Sequence, residues 1–318
     1  VTVMGNPVQM ASNDQYSTVM SDTGYLLASN GDGSAKTTGK IPDDMAVYLS
    51  GSFIDGDSSA MPTGQNLDNE DFDGWAVSGG IEKRLSDKAS LGASLSYTQL
   101  EADASLGQVA ETNYFAGTLY GQLRAENNFV LDGQVSLGSF NSETGRSVAS
   151  FPGTATLASD DDSTVFSADI SVSKAIETGS AVFTPRVSLQ NTVIDFDTVS
   201  ETGGTPGLLI DRNKVHSTQG RVGFGLSTAK DAKFDLSAHA DLVQEFGSID
   251  DTFNAAFVSA PGAAGEFALF GTDKNWGEIG VGLGFDLDNA KINLSADTTI
   301  GRKDFETRVY RAGVTYKF

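Results

Sequence analysis

The sequence contains no cysteine. Disulfide frameworks, thiolate nucleophiles and cysteine-ligated metal sites are therefore excluded. A cysteine-free chain also suits passage through an oxidising compartment. Histidine is nearly absent, with only His216 and His239. Basic residues are few, 21 Lys and Arg against 42 Asp and Glu, so the net charge is -21. Phosphate backbones need a basic patch, so nucleic acid is not an expected partner. Proline is scarce at 7 residues. No apolar run reaches the roughly 18 residues that a membrane-spanning helix needs. That absence says nothing against a β-barrel, whose signal per strand is weak. The first residues, VTVMGNPVQ, lack the basic and then apolar character of a signal peptide. The chain is read as processed, or as part of something longer.

What is present is glycine, at 36 residues, and a modest apolar content of 39%. That is little for a large packed core, but it suits a barrel in which only one face of each strand is apolar. Residues 1–44 lack sustained alternation and include the linker-like SNGDGSAKTTGKIPDD. Ser12, Asn13 and Asp14 are capping residues for a short helix to about Met20, with an extended segment as the alternative. From Met45 the apolar period becomes two. Strands are expected at about 45–55, 74–85, 89–102, 110–124, 127–141, 163–176, 180–196, 214–228, 232–247, 275–287, 290–302 and 306–318. Each is long enough to cross a bilayer at a tilt, which takes roughly 9–11 residues. The last, RVYRAGVTYKF, is typical. Tyr310, Ala312, Val314, Tyr316 and Phe318 share one face, with mostly polar or small residues on the other. Such an exposed edge invites aggregation unless it closes a barrel. The fold expected is all-β: a 12-stranded antiparallel transmembrane β-barrel at 45–318, preceded by a linker or lumen segment at 1–44.

The connections alternate in length. Short turns fall near Ser86–Lys88, Ala125–Asn127, Glu177–Gly179, Ala229–Asp231 and Asp288–Asn289. Longer links fall at about 56–73, 103–109, 142–162, 197–213 and 248–274, with a short one at 303–305. Outer-membrane barrels have short periplasmic turns and longer external loops. The C-terminus is thus expected in the periplasm and the long loops outside the cell. Trp75, Tyr97, Phe115, Phe129, Phe246, Trp276, Tyr310, Tyr316 and Phe318 are expected in interfacial girdles.

The inward face mixes charges. Arg84, Arg124, Arg186 and Arg221 are expected there with Glu82, Asp132, Asp169, Asp235, Asp241, Glu245, Glu278 and Asp297, paired across the lumen. His239 with Ser237 on the same face reads as part of this polar network rather than a catalytic pair. Acidic groups in the links, at Asp68, Glu70, Asp71 and Asp73, Asp160–Asp162, and Asp250–Asp251, lack EF-hand spacing and read as a solvated rim. No cofactor or metal is expected, and no enzymatic activity.

Three stretches resemble the autotransporter β-domain, the translocator of type V secretion. They are GQLRAENNFVLDGQVSLGSFNSETGR, FTPRVSLQNTVIDFDTVSETGG with Pro185, and the ending RAGVTYKF. The resemblance covers about residues 45–318. It implies an outer-membrane translocator that anchors and exports an N-terminal passenger, with an α-helix threading the lumen before the first strand. It also implies a C-terminal assembly signal at Arg311, Gly313, Tyr316 and Phe318, read by the barrel-assembly machinery. The lipid bilayer, lipopolysaccharide and the passenger are the implied partners of a monomer. Some relatives cut their passenger at an asparagine; Asn6, Asn13 and Asn30 are available here. The inward glycines suit a lumen with an occupant, or strand curvature. A stand-alone channel for small solutes is the alternative, and an outer-membrane hydrolase a more distant one.

Overall fold

The structure, a computed structural model, describes residues 45–58, 70–104, 108–150, 153–212, 214–228, 235–247, 252–268, 273–287, 290–302 and 305–317. Expectations for 1–44, including Asn6, Asn13 and Asn30, lie outside these residues, as does Phe318. Twelve long strands are present: β1 Met45–Ser58, β2 Glu70–Ser86, β3 Ala89–Ala104, β4 Gln108–Arg124, β5 Phe129–Ser150 and β6 Gly153–Lys174. They continue as β7 Ala181–Phe196, β8 Val215–Thr228, β9 Asp235–Glu245, β10 Asn275–Leu287, β11 Ala290–Ile300 and β12 Phe305–Lys317. Each pairs antiparallel with its sequence neighbours, and β12 returns to β1 from Ala46–Lys317 to Ser58–Phe305. With β7 paired to β8, the sheet closes. Closure gives every strand two partners, so no row of backbone donors and acceptors is left for lipid that cannot bond them.

Side chains alternate across this wall. Leu242 is 74% exposed on the outside, whereas Arg221 is 1% exposed on the inside. A soluble sandwich would reverse that pair. Across β6 the alternation is unbroken from Leu157 to Asp169 and beyond. Outward aromatics run in register, Tyr310 opposite Phe53, Phe53 opposite Trp75, and Tyr97 opposite Phe115. The Trp75 and Tyr97 rings lie 5.4 Å apart. Past this arc, toward the long links, the outward positions become carboxylates. Asp55, Asp73, Glu101, Glu111, Glu143 and Asp160 stand directly opposite one another from β1 to β6. Charge at this density does not belong in hydrocarbon, so the ladder marks where the apolar band stops. Trp276 departs from the expected girdle. It is buried inside the barrel, because it shares the inward face of β10 with Glu278 rather than the outward face with Ile279.

Ten strands match their expected bounds to within a few residues. The other two, β5 and β6, run 22 residues each and turn the expected link at 142–162 into a projecting hairpin. Two further links are also structured. Val199–Ser200, Leu208–Arg212, Thr252–Phe257 and Gly265–Ala268 form a separate four-stranded sheet. Its own small core is Val199, Ile210, Phe253 and Ala255. A bridge between Ala158 and Thr202 ties it to the hairpin.

An outward charge in mid-strand tests the assignment of faces. Val281, 60% exposed at the middle of β10, is predicted to cost about 2–4 kcal/mol of stability when changed to Arg. Equilibrium denaturant unfolding in lipid vesicles measures this.

The barrel lumen as candidate functional site

The inward face is organised by ion pairs that run along the wall. Arg186 on β7 forms a two-pronged pair with Asp241 on β9. Arg221 on β8 reaches Glu278 on β10 at 3.2 Å and donates to Gln190 at 3.0 Å and Gln219 at 2.7 Å. Glu278 also accepts from Trp276 Nε1 at 3.0 Å. Asp235 on β9 pairs with Lys291 on β11. Asp297 on β11 receives Arg311 from β12 at 2.7 Å and lies 3.4 Å from His239 Nε2 on β9. Most of these pairs step over one strand. They were expected to cross the lumen. Instead the described pairs join neighbouring or next-neighbouring strands and leave the bore unbridged.

Glycine makes the steps possible. Gly223 stands between Arg186 and Asp241 in the register, and a Cβ there would lie 2.1 Å from Asp241 Oδ1. Gly280 stands between His239 and Asp297, where a Cβ would lie 2.1 Å from Asp297 Oδ1 and 2.3 Å from His239 Cε1. The inward glycines thus clear space for neighbouring wall side chains. Tyr120 uses the same device, lying over Gly92.

The remaining expected charges are placed as follows. Arg84 continues the inward face of β2 beyond Glu82 but is exposed at the short-turn mouth, beside a register shift. Arg124 is half-buried at the end of β4. Glu245 is buried, and among the described residues no cation bonds it. Its carboxylate accepts from Ser217 at 2.6 Å and from the Thr218 and Gly247 N–H groups at 2.8 and 2.7 Å, tying off the long-link end of β8 and β9. Of the C-terminal residues, Arg311 is buried inward, Gly313 half-buried, and Tyr316 exposed outward.

The acidic links form no metal site of three or more ligands among the described residues. Asp68, Asp250 and Asp251 lie outside them. Asp161 is buried against Arg212, whose guanidinium stacks 4.1 Å over Phe196. The hairpin is held to the four-stranded sheet by Arg146, which donates two 2.6 Å hydrogen bonds to Glu201. Leu208 N–H gives Glu201 a third at 2.8 Å. Burial alone would raise the Glu201 carboxyl, but the Arg146 and Leu208 bonds outweigh it and hold it below the ordinary glutamate range. Sequence reasoning missed this pair, because nothing local in 142–162 or 197–213 signals that the two links meet.

A closed 12-stranded wall, apolar outside and ion-paired inside, defines an outer-membrane β-barrel. A family model described as autotransporter beta-domain matches residues 51–298. No curated protein sequence matches the chain. Among solved structures, the translocator domain of the autotransporter NalP from Neisseria meningitidis aligns with a TM-score of 0.74 at 16% identity. The alignment covers 98% of this chain and 97% of that one. The β-domain of the Bordetella autotransporter BrkA aligns at TM-score 0.59 and 14% identity, over 86% and 100% of the two chains. The transport unit of AIDA-I from Escherichia coli gives 0.56 and 12%, over 93% and 97%. These likenesses carry the fold, and the family match carries membership. The chain belongs to the autotransporter β-domain family and is an outer-membrane translocator domain.

Two substitutions test the geometry. Arg221→Met strands the Glu278 carboxylate and should destabilise the barrel by about 3 kcal/mol or more; Glu278→Gln added to it should restore part of the loss. Denaturant unfolding of the three variants measures both effects. For Glu201, a depressed carboxyl adds stability that is complete above its unfolded value and is lost as pH falls through the folded one. Amide exchange at Thr202 and Leu208 should therefore stay slow down to pH values below the ordinary glutamate range. In Glu201→Gln it should be fast already at neutral pH.

Proposed function

We propose that residues 45–318 export a passenger joined to their N-terminal side, and that residues 1–44 are the linker left in the lumen afterwards. One observation carries this reading. The described lumen ion pairs join close strands along the wall, and none of them spans the bore. A chain can then pass without breaking the pairs that stabilise the barrel. Twelve strands enclose more room than the small barrels packed solid with side chains, and less than the porins with their open channel. Such a bore suits one or two extended segments. The mechanism asks no catalysis of the barrel, and His239 acts through Asp297 as part of the wall.

The same reading orients the barrel. The short-turn end, where Ala46 and Lys317 stand opposite each other, faces the periplasm. The β5–β6 hairpin, the four-stranded sheet and the carboxylate ladder face outward, toward the lipopolysaccharide. The final strand directs assembly through its outward Tyr316, with Arg311 and Gly313 inward, together with the terminal residue Phe318 of the sequence; the barrel-assembly machinery reads it, and the inserted barrel works as a monomer. Arg311 serves a second purpose there, since its pair with Asp297 locks β12 to β11.

An epitope-tagged passenger fused before Val1 tests the reading. It should become protease-accessible on intact cells, while the Met45–Phe318 barrel stays protected. A passenger held in the periplasm beside a correctly inserted barrel would sink it. Bilayer recordings separate the channel alternative. Chains 1–318 should conduct little and chains 45–318 more; equal and large conductance from both favours a solute channel.

A further inference from the structure

The outer wall is not smooth. A groove of about 910 Å³ lies across β7, β8 and β9, toward their long-link ends, a size typical of small-molecule sites. Two outward register rows build it. Leu189, Gly220 and Gln244 stand opposite one another in the first, and Val187, Val222 and Leu242 in the second. The missing side chain at Gly220 makes the hollow. Phe246 leans over it as one wall, since a Cβ at Gly220 would lie 2.7 Å from Phe246 Cε2. At the long-link side the groove is crowned by polar side chains. Asn191 donates to Thr218 Oγ1 at 2.9 Å, and Gln244 stands opposite Asn275 where β9 and β10 meet their link. On β1 to β4 this edge of the apolar band is filled by the rings of Phe53, Trp75, Tyr97 and Phe115. The surroundings also differ in charge. The carboxylate ladder stops at β6, and beyond the crown the outward face carries Asp195 paired with Lys214 at 2.5 Å and the exposed His216.

The groove opens on the lipid-facing side of a membrane wall, so its apolar rows are covered by hydrocarbon. The crown says which lipid. Side-chain amides and a hydroxyl both donate and accept hydrogen bonds, and at the edge of an apolar medium they favour a partner that does the same. The ester linkage of a phospholipid chain only accepts. The acyl chains of lipid A are joined partly through amides and carry hydroxyls, so they do both. The anionic headgroup of lipid A meets less like charge here than it would beside the ladder on β1 to β6. We propose that this groove is a lipid A site: one acyl chain lies over Gly220 and Val222, and its linkage bonds the crown of Asn191, Thr218, Gln244 and Asn275. The choice of an outer-leaflet lipid rests on the orientation proposed above, with the long links outside the cell.

The test uses the full chain folded in detergent, with folding scored by heat-modifiable gel mobility. Native mass spectrometry then reads retention of lipid A and, separately, of phosphatidylglycerol, which is anionic but purely ester-linked. Wild type should retain a single lipid A and much less phosphatidylglycerol. Val222→Trp fills the groove from an outward position that is 61% exposed, and should weaken lipid A retention by about tenfold or more, the cost of excluding roughly two methylenes. Leu95→Trp, outward on β3 and 59% exposed, should leave it unchanged. Gln244→Leu with Asn275→Leu should remove the preference for lipid A over phosphatidylglycerol. If Val222→Trp does not fold, Leu189→Trp takes its place. Undiminished retention in the filled variant overturns the site, and equal retention of the two lipids by wild type overturns lipid A as its occupant. Orientation is read separately, by labelling Phe257→Cys on intact cells with a membrane-impermeant maleimide. An unlabelled cysteine in an inserted barrel sinks the orientation and leaves binding in detergent untouched.

Discussion

The rest of the structure depends on the seam between β12 and β1. Until those strands pair, every other strand belongs to an open sheet with two long edges of unpaired backbone groups in a solvent that cannot bond them. Pairing from Ala46–Lys317 to Ser58–Phe305 removes both edges at once. At the long-link end, Arg308 clasps the seam by reaching Asp55 at 3.0 Å and Asp57 at 3.3 Å across it. Closure also separates the two faces of every strand, so one alternating pattern satisfies lipid outside and water or chain inside.

Once the wall is closed, charges on its concave side must be satisfied within it. The solution is lateral. A long side chain lies flat over a glycine on the adjoining strand and meets its partner on the strand beyond, as Arg186 does over Gly223. This stiffens the wall in the direction in which hydrogen bonds already run and keeps the centre of the bore clear. Outside, the ladder from Asp55 to Asp160 places like charges directly opposite one another, which sheets ordinarily avoid. Its position past the aromatic arc lets water screen it.

The strands were legible because a transmembrane barrel enforces a period of two on most of its residues. In β9, Leu236, Ala238 and Leu242 against Asp235, His239 and Asp241 could hardly be read otherwise. The projecting hairpin was not legible, because beyond the membrane its outward positions turn acidic, at Glu143, Asp160 and Asp162, and the apolar signal stops although the pairing continues. Trp276 shows the reverse error. Its own strand's alternation places it with Glu278, but an aromatic near a strand end suggested a girdle. For the lumen, residue types and inward direction could be read from the sequence, and partners could not. The pairing of Arg186 with Asp241 requires the register of three strands and the absence of a Cβ at Gly223, and no local pattern encodes both.

The central claim is a single barrel closed in one register, and the absence of native cysteine makes it directly measurable. Gly51 and Ala312 face each other across the seam on its outward side. Cysteines placed at both, in protein assembled in outer membranes, should oxidise within one chain to a nearly complete disulfide, while Gly51→Cys with Val314→Cys should cross-link poorly. Equal cross-linking of the two pairs, or cross-links only between chains, would contradict the account.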